Sequence, residues 1–326
     1  MCNVTLKLFT TSGKVNGYNF FDINQVREPM EQNEVRQQLQ TQGYIVVRDL
    51  LSEAEVQFYN RKLETLSGIS RRNFRGKVSG RGGHISWNRP DGVSKTPDFW
   101  PVIFHERLLT TIKALLGPEV RYLQHSDLHV GFSAVSWHRD NVNRTFGHGP
   151  DWDESVQPYQ LLRVGIYLQS FAESNFRLGF IAGSHRPTPY VSLARKLTEA
   201  KLQSLGTLSY LSAKFQMWAA QAQWVATEPG DCIIFDPRTL HSGSYITGPK
   251  YSLFVAYGRE NEHFYNHHNY YRHLRSELNY GDLAPELIQL LKDADLYQEQ
   301  VPVYDRIQGA WTPAPILKNY LAQRFK

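Results

Sequence analysis

A chain of 326 residues with 36 basic and 31 acidic side chains carries a net charge of +5, a mild excess that falls short of a nucleic-acid-binding signature. Its 41% hydrophobic, 21% charged and 13% aromatic residues are globular in balance, neither disordered nor membranous, and no apolar run approaches a membrane span. Two cysteines, Cys2 and Cys232, exclude a disulfide framework and a thiolate metal cluster. The opening stretch MCNVTLKLFTTSGK lacks the charged start, apolar block and cleavage site of a signal peptide, so a cytoplasmic protein is expected. The length suits one domain, 1–326, with a core over about 38–258 and a C-terminal helical extension over 259–326.

Along the chain, residues 30–41 are rich in Gln and Glu with sparse apolar positions. GYIVV then predicts a short buried strand, and a helix follows from Ser52, whose spacing to Glu53 and Glu55 makes a capped, acidic first turn. Residues 69–101 combine glycines, arginines and aromatics without a period and predict a loop, either a solvated basic one or one that meets a substrate. A helix is predicted over about 102–116, stopped by Gly117-Pro118.

Beyond that point the pattern turns to strands. VRYLQHSDLHVGF, LLRVGIYLQSF, LGFIAG, DCIIFD and YSLFVAYG are short, rich in branched and aromatic residues, and separated by Gly, Pro, Asp or Ser. They predict a mainly β fold with flanking helices, a sandwich or barrel of the jelly-roll type. Helical spacing interrupts the strands over about 190–222, and further helices are predicted near 269–278 and 283–295.

Chemistry concentrates in VSWHRDNVNR, residues 135–144. His138 and Asp140 lie two apart, so on an extended segment both point the same way and can reach one atom. A third ligand must come from elsewhere, and PGDCIIFDPRTLHSGSYITG offers it: a strand over Asp231–Phe235, a turn at Asp236-Pro237, and His241 just after. Two imidazoles and one carboxylate leave three adjacent coordination positions free, an arrangement that suits non-haem Fe(II), whereas zinc more often takes three His or sulfur ligands.

QGYIVVRDLLS, WHRD, FIAGSHR and PGDCIIFDPRTLHSG, in this order, resemble the phytanoyl-CoA dioxygenase-like family of Fe(II)/2-oxoglutarate oxygenases over roughly residues 38–258. The resemblance implies a double-stranded β-helix with His138, Asp140 and His241 as iron ligands. It also implies a reaction in which O2 and 2-oxoglutarate are consumed to give succinate and CO2 while a substrate is oxidised.

Where the family places an arginine for the distal carboxylate of 2-oxoglutarate, this chain has Lys250 and, two residues on and on the same face, Ser252. Lysine brings charge without the planar fork. Arg259 is the substitute if Lys250 is only a solvated strand end. Gln124 and Tyr167 are the further cosubstrate candidates, Tyr167 with packing as its alternative.

His267 and His268, being adjacent, diverge and make a poor metal pair. His148 is placed near the pocket mouth and His185 in a structural turn, where Gly183 is expected to take a conformation closed to other residues. The substrate candidates are Arg71, Arg72, Arg75, Arg81 and Trp87 from the early loop and Arg144, Phe146 and Trp152 from the loop after Asp140. Arginines with aromatics suit an anionic or planar small molecule, with neither nucleic acid nor a membrane as partner.

Hydroxylation, desaturation or ring closure of a small molecule in specialised metabolism is the leading expectation. A radical halogenase would replace the carboxylate ligand by Gly or Ala, which Asp140 opposes. A jelly roll that binds a metal or ligand without oxygen chemistry is the remaining alternative, kept open by the missing arginine.

Overall fold

The computed structural model describes residues 13–15, 18–20, 32–74, 85–134, 136–186 and 222–313. In chain order the strands are β1 (Gly13–Val15), β2 (Tyr18–Phe20), β3 (Tyr44–Val47), β4 (Trp87–Pro90), β5 (Val120–Val130), β6 (Leu161–Tyr167), β7 (Arg177–Phe180), β8 (Gln223–Ala226), β9 (Cys232–Phe235), β10 (His241–Gly243) and β11 (Tyr251–Arg259). The helices are α1 (Gln32–Gln42), α2 (Glu53–Ser67), α3 (Trp100–Ile103), α4 (Glu106–Leu116), α5 (Phe171–Ser174), α6 (Glu262–Asn269) and α7 (Pro285–Asp293).

A six-stranded antiparallel sheet in the order β3-β9-β6-β11-β5-β4 faces a three-stranded one in the order β10-β7-β8. This is the jelly roll that the spacing of short strands predicts.

Alternation along the large sheet separates two cores. Leu162, Val164 and Ile166 of β6, Leu253 and Val255 of β11, and Leu128 and Val130 of β5 face α2 and α4, packing against Val56, Leu63, Leu108 and Ile112. Their neighbours Tyr167, Ile233 and Phe235 face the small sheet and pack on Phe176, Leu178, Phe180 and Val225. The second core fills only part of the space between the sheets, and the remainder is the cavity that holds the site.

The start of α2 is set as its sequence predicts. Ser52 Oγ accepts from the Glu55 amide, and the Glu55 carboxylate accepts from the Ser52 amide at 2.7 Å; Gly68 ends the helix at φ 69°. Ser52→Ala is expected to cost about 1 kcal/mol, read as a lower midpoint in urea unfolding with an unchanged slope.

Elsewhere the boundaries differ from the expectation. The Gln-rich stretch forms α1, anchored by the buried Val35. The region expected as loop contains β4, which pairs with β5. The helix expected over 102–116 is two, because His105 takes a non-helical ψ of 118°. α6 begins ahead of its expected start, where the Asn261 side chain accepts from the Phe264 amide, and runs on into a single π turn, Tyr270–Leu274. The helical spacing over 190–222 falls almost wholly outside the described residues. Among the described residues no helix is long and apolar enough to cross a membrane.

Candidate active site

His138 and His241 come together through main-chain pairing. The two residues form an isolated antiparallel bridge, His138 N to His241 O at 2.9 Å and His241 N to His138 O at 3.0 Å, which stands their side chains next to each other with ring centroids 4.3 Å apart. Asp140, two residues on, donates its amide to Pro237 O at 2.9 Å and joins the same face. One ligand atom from each of the three residues lies within 4.8 Å of the others.

Each imidazole is oriented by its own backbone. His138 Nδ1 donates to Ser136 O at 2.7 Å and His241 Nδ1 to Thr239 O at 2.9 Å, so both Nε2 lone pairs are free to face Asp140, whose carboxylate oxygens lie 3.8 and 3.7 Å from them. Burial keeps both rings neutral, His241 down to about 3 with His138 adding to the shift. Burial alone would raise Asp140, but His241, His138, Arg163 and Arg144 outweigh it and hold the carboxyl well below the usual range. Two neutral nitrogen donors and an ionised carboxylate, all stripped of competing protons, fit a divalent metal ion.

The triad opens into a cavity of about 260 Å³. Strand alternation decides what lines it. β5 presents His125, Asp127 and His129; β6 presents Arg163 and Tyr167; β11 follows Lys250 with Phe254 on the same face. Gly165 stands between Arg163 and Tyr167, where a Cβ would meet the Phe254 ring at 2.8 Å. The C-terminal extension supplies Tyr271, Arg275 and Tyr280.

Lys250 is 2% exposed, donates to Ser252 Oγ at 2.8 Å, and has no carboxylate partner among the described residues; burial pushes its ammonium down to about 7. The hydroxyl of Tyr167, also fully buried, has no hydrogen-bond partner among the described residues. Both groups are thus polar, dry and turned into the cavity.

Several expected residues sit elsewhere. Gln124 is one position out of phase: β5 turns its odd members to the cavity, while the Gln124 amide donates to Asp91 and to Gly281 O, each at 2.8 Å. Gln124→Ala is therefore expected to cost about 1–3 kcal/mol through the buried Asp91 left short of a donor, with 2-oxoglutarate affinity unchanged. Paired urea unfolding and cosubstrate titration check both halves.

Arg259 pairs with Glu119 at the far end of β11, so it is no substitute for Lys250. Of the loop candidates, Arg144 lines the cavity, while Arg75 and Arg81 lie outside the described residues. Trp87 pairs opposite Val130 and packs on the helix-facing core. Phe146 and Trp152 stand 4.7 Å apart and both face the buried Arg139 guanidinium, so they brace the loop rather than line the cavity. Arg71 pairs with Glu173, Arg72 is exposed, and His148 is exposed and apart from the cavity wall.

His267 meets His125 at 2.9 Å, and His185 meets Gln40 O at 3.1 Å beside Gly183, which has φ 70°. Sequence reasoning missed His125, Asp127, His129 and Arg163, which alternation within their strands would have grouped. It also missed Tyr271, Arg275 and Tyr280, for which no local signal exists.

A jelly roll that closes over two imidazoles and a carboxylate, with three positions left open, is the framework of a mononuclear non-haem metal oxygenase. The family model described as phytanoyl-CoA dioxygenase (PhyH) matches residues 39–251. The chain belongs to this phytanoyl-CoA dioxygenase family of iron- and 2-oxoglutarate-dependent oxygenases.

No curated protein matches the chain by sequence. Among solved structures, HygX from Streptomyces hygroscopicus with nickel and 2-oxoglutarate bound is 16% identical with a TM-score of 0.50, covering 71% of this chain and 88% of that one. The non-heme alpha ketoglutarate dependent epimerase SnoN from nogalamycin biosynthesis is 17% identical at a TM-score of 0.48, covering 70% and 80%. The carbocyclase SnoK from the same biosynthesis is 16% identical at 0.46, covering 72% and 87%. The likeness to HygX is one of fold.

Proposed function

We propose that the chain is a single oxygenase domain that oxidises a small molecule, by hydroxylation, desaturation or ring closure, in a cytoplasmic branch of specialised metabolism. The observation that carries this reading is the convergence of His138 Nε2, His241 Nε2 and the Asp140 carboxylate in a cavity that also holds a buried lysine. In this reading the triad holds Fe(II), and iron bound there supplies the redox chemistry that couples decarboxylation of 2-oxoglutarate to oxidation of substrate.

The chain's own residues do the rest. Lys250, assisted by Ser252 and the Tyr167 hydroxyl, receives the distal carboxylate of 2-oxoglutarate, a partner that its buried ammonium otherwise lacks among the described residues. Arg144 and Arg275, with Tyr271 and Tyr280, form the wall against which an anionic or aromatic substrate rests. Because Asp140 occupies the third vertex beside both imidazoles, the halogenase reading is not carried forward. The buried free thiol of Cys232 suits a reducing compartment.

Anaerobic titration of the apo-protein with Fe(II), then 2-oxoglutarate, is the test. A visible charge-transfer band from chelated cosubstrate is the expected result. Iron binding with no such band would leave a metal-binding jelly roll and remove the oxygenase assignment of these residues.

A further inference from the structure

Orientation of the three metal-facing groups is unequal. Both imidazoles are held by Nδ1 hydrogen bonds to their own chain, whereas the Asp140 carboxylate has no hydrogen bond among the described residues, only ion contacts to His138, His241 and Arg163. The backbone of Asp140 is fixed, through its amide to Pro237 and through its carbonyl, which accepts from Tyr271 Oη at 3.1 Å. Its side chain still needs a partner.

Arg163 stands on the cavity face of β6, 3% exposed. One terminal nitrogen donates to His125 O and the other to the Asp127 carboxylate, so β5, which lies across β11 from β6, sets the plane of the guanidinium. The remaining donor, Nε, is buried without a hydrogen-bond partner among the described residues and lies 3.8 Å from Asp140 Oδ2. That is an ion contact short of a hydrogen bond, between a donor and an acceptor that make no hydrogen bond elsewhere among the described residues. A buried ion pair such as Arg163–Asp127 is a weak source of stability, since apolar residues of the same volume commonly do as well. Its value lies in where it holds Nε.

We propose that Arg163, clamped by Asp127, is a positioning residue that turns the Asp140 carboxylate toward the two imidazoles and keeps it there. The proposal rests on the reading of His138, Asp140 and His241 as a metal site. Charge and orientation give different expectations for metal affinity. Removing a cation beside the site would by charge alone tighten cation binding, whereas loss of an orienting partner weakens it. The double variant Arg163→Gln/Asp127→Asn leaves net charge unchanged and so isolates orientation.

The experiment is Co(II) titration of the full-length apo-protein, followed calorimetrically and by the visible Co(II) bands, with thermal unfolding of each variant alongside. The double variant is expected to bind Co(II) about 10- to 100-fold more weakly, with altered bands and a near-native melting temperature. Wild-type affinity and bands in a folded double variant would overturn the proposal. If the double variant does not fold, Arg163→Lys decides, because its single nitrogen keeps a cation for Asp127 but leaves no donor in the place of Nε: weakened binding supports the positioning role and unchanged binding overturns it. Absence of Co(II) binding to the wild-type chain would instead remove the metal reading itself, and this proposal with it.

Discussion

His241→Ala is expected to abolish metal binding and 2-oxoglutarate turnover while leaving the fold in place. The main chain of His241, through its bridge with His138, does the structural pairing, and alanine retains it. The imidazole itself projects into the cavity, and its removal deletes one of three donors. The loss of affinity should exceed the roughly 100-fold that follows removal of an outer-shell partner. Titration with Fe(II) and assay of succinate release read the two effects, and a circular dichroism melt separates them from unfolding. Succinate release at the wild-type rate in this variant would refute the metal assignment. His138→Ala should behave alike.

Lys250→Ala is expected to raise the apparent Kd for 2-oxoglutarate while leaving Fe(II) affinity near that of the wild type. Removing one member of a buried charge pair costs about 2–5 kcal/mol, or roughly 30- to 5,000-fold in affinity. The same residue dictates a pH dependence. In the free protein burial pulls the ammonium from its ordinary 10.5 down to about 7, and a bound carboxylate would raise it again. Below about pH 7 the lysine is charged before the cosubstrate arrives, and affinity should be flat. Above that, each binding event must take up a proton, so affinity should fall by up to about tenfold per pH unit. A flat profile from pH 6 to 9 would move the carboxylate site elsewhere.

Burial of Lys250 also has a cost for the unliganded chain. The folded pKa lies below the unfolded one, so the destabilisation is fully present below about 7 and fades as pH rises toward 10.5. Lys250→Met should therefore raise the melting temperature of the apo-protein most at low pH while weakening the cosubstrate. Stability here is given up for a cation held dry inside the cavity.

Several parts of this molecule were legible because their causes are local. The spacing of His138 and Asp140 needs only that successive side chains alternate, and the Ser52 cap needs only the three residues that follow. Short branched and aromatic runs broken by turn residues were enough to predict a jelly roll, and the ordered motifs singled out His241, which the fold brings beside His138 and Asp140.

What the sequence left open concerns which face of a strand meets which space. Gln124 and His125 are neighbours, and only the placement of β5 between β4 and β11 decides that His125 enters the cavity while Gln124 is tied to Asp91. Phe146 and Trp152 carry the composition of a substrate wall, yet the fold spends them on the buried Arg139. Tyr271 and Arg275 reach the site from far along the chain, after β11 has closed the large sheet. The depressed pKa of Lys250 and the unused donor of Arg163 are likewise properties of burial. Alternation and capping are written into neighbouring residues, whereas desolvation and long-range contact exist only once the two sheets and the C-terminal extension have come together.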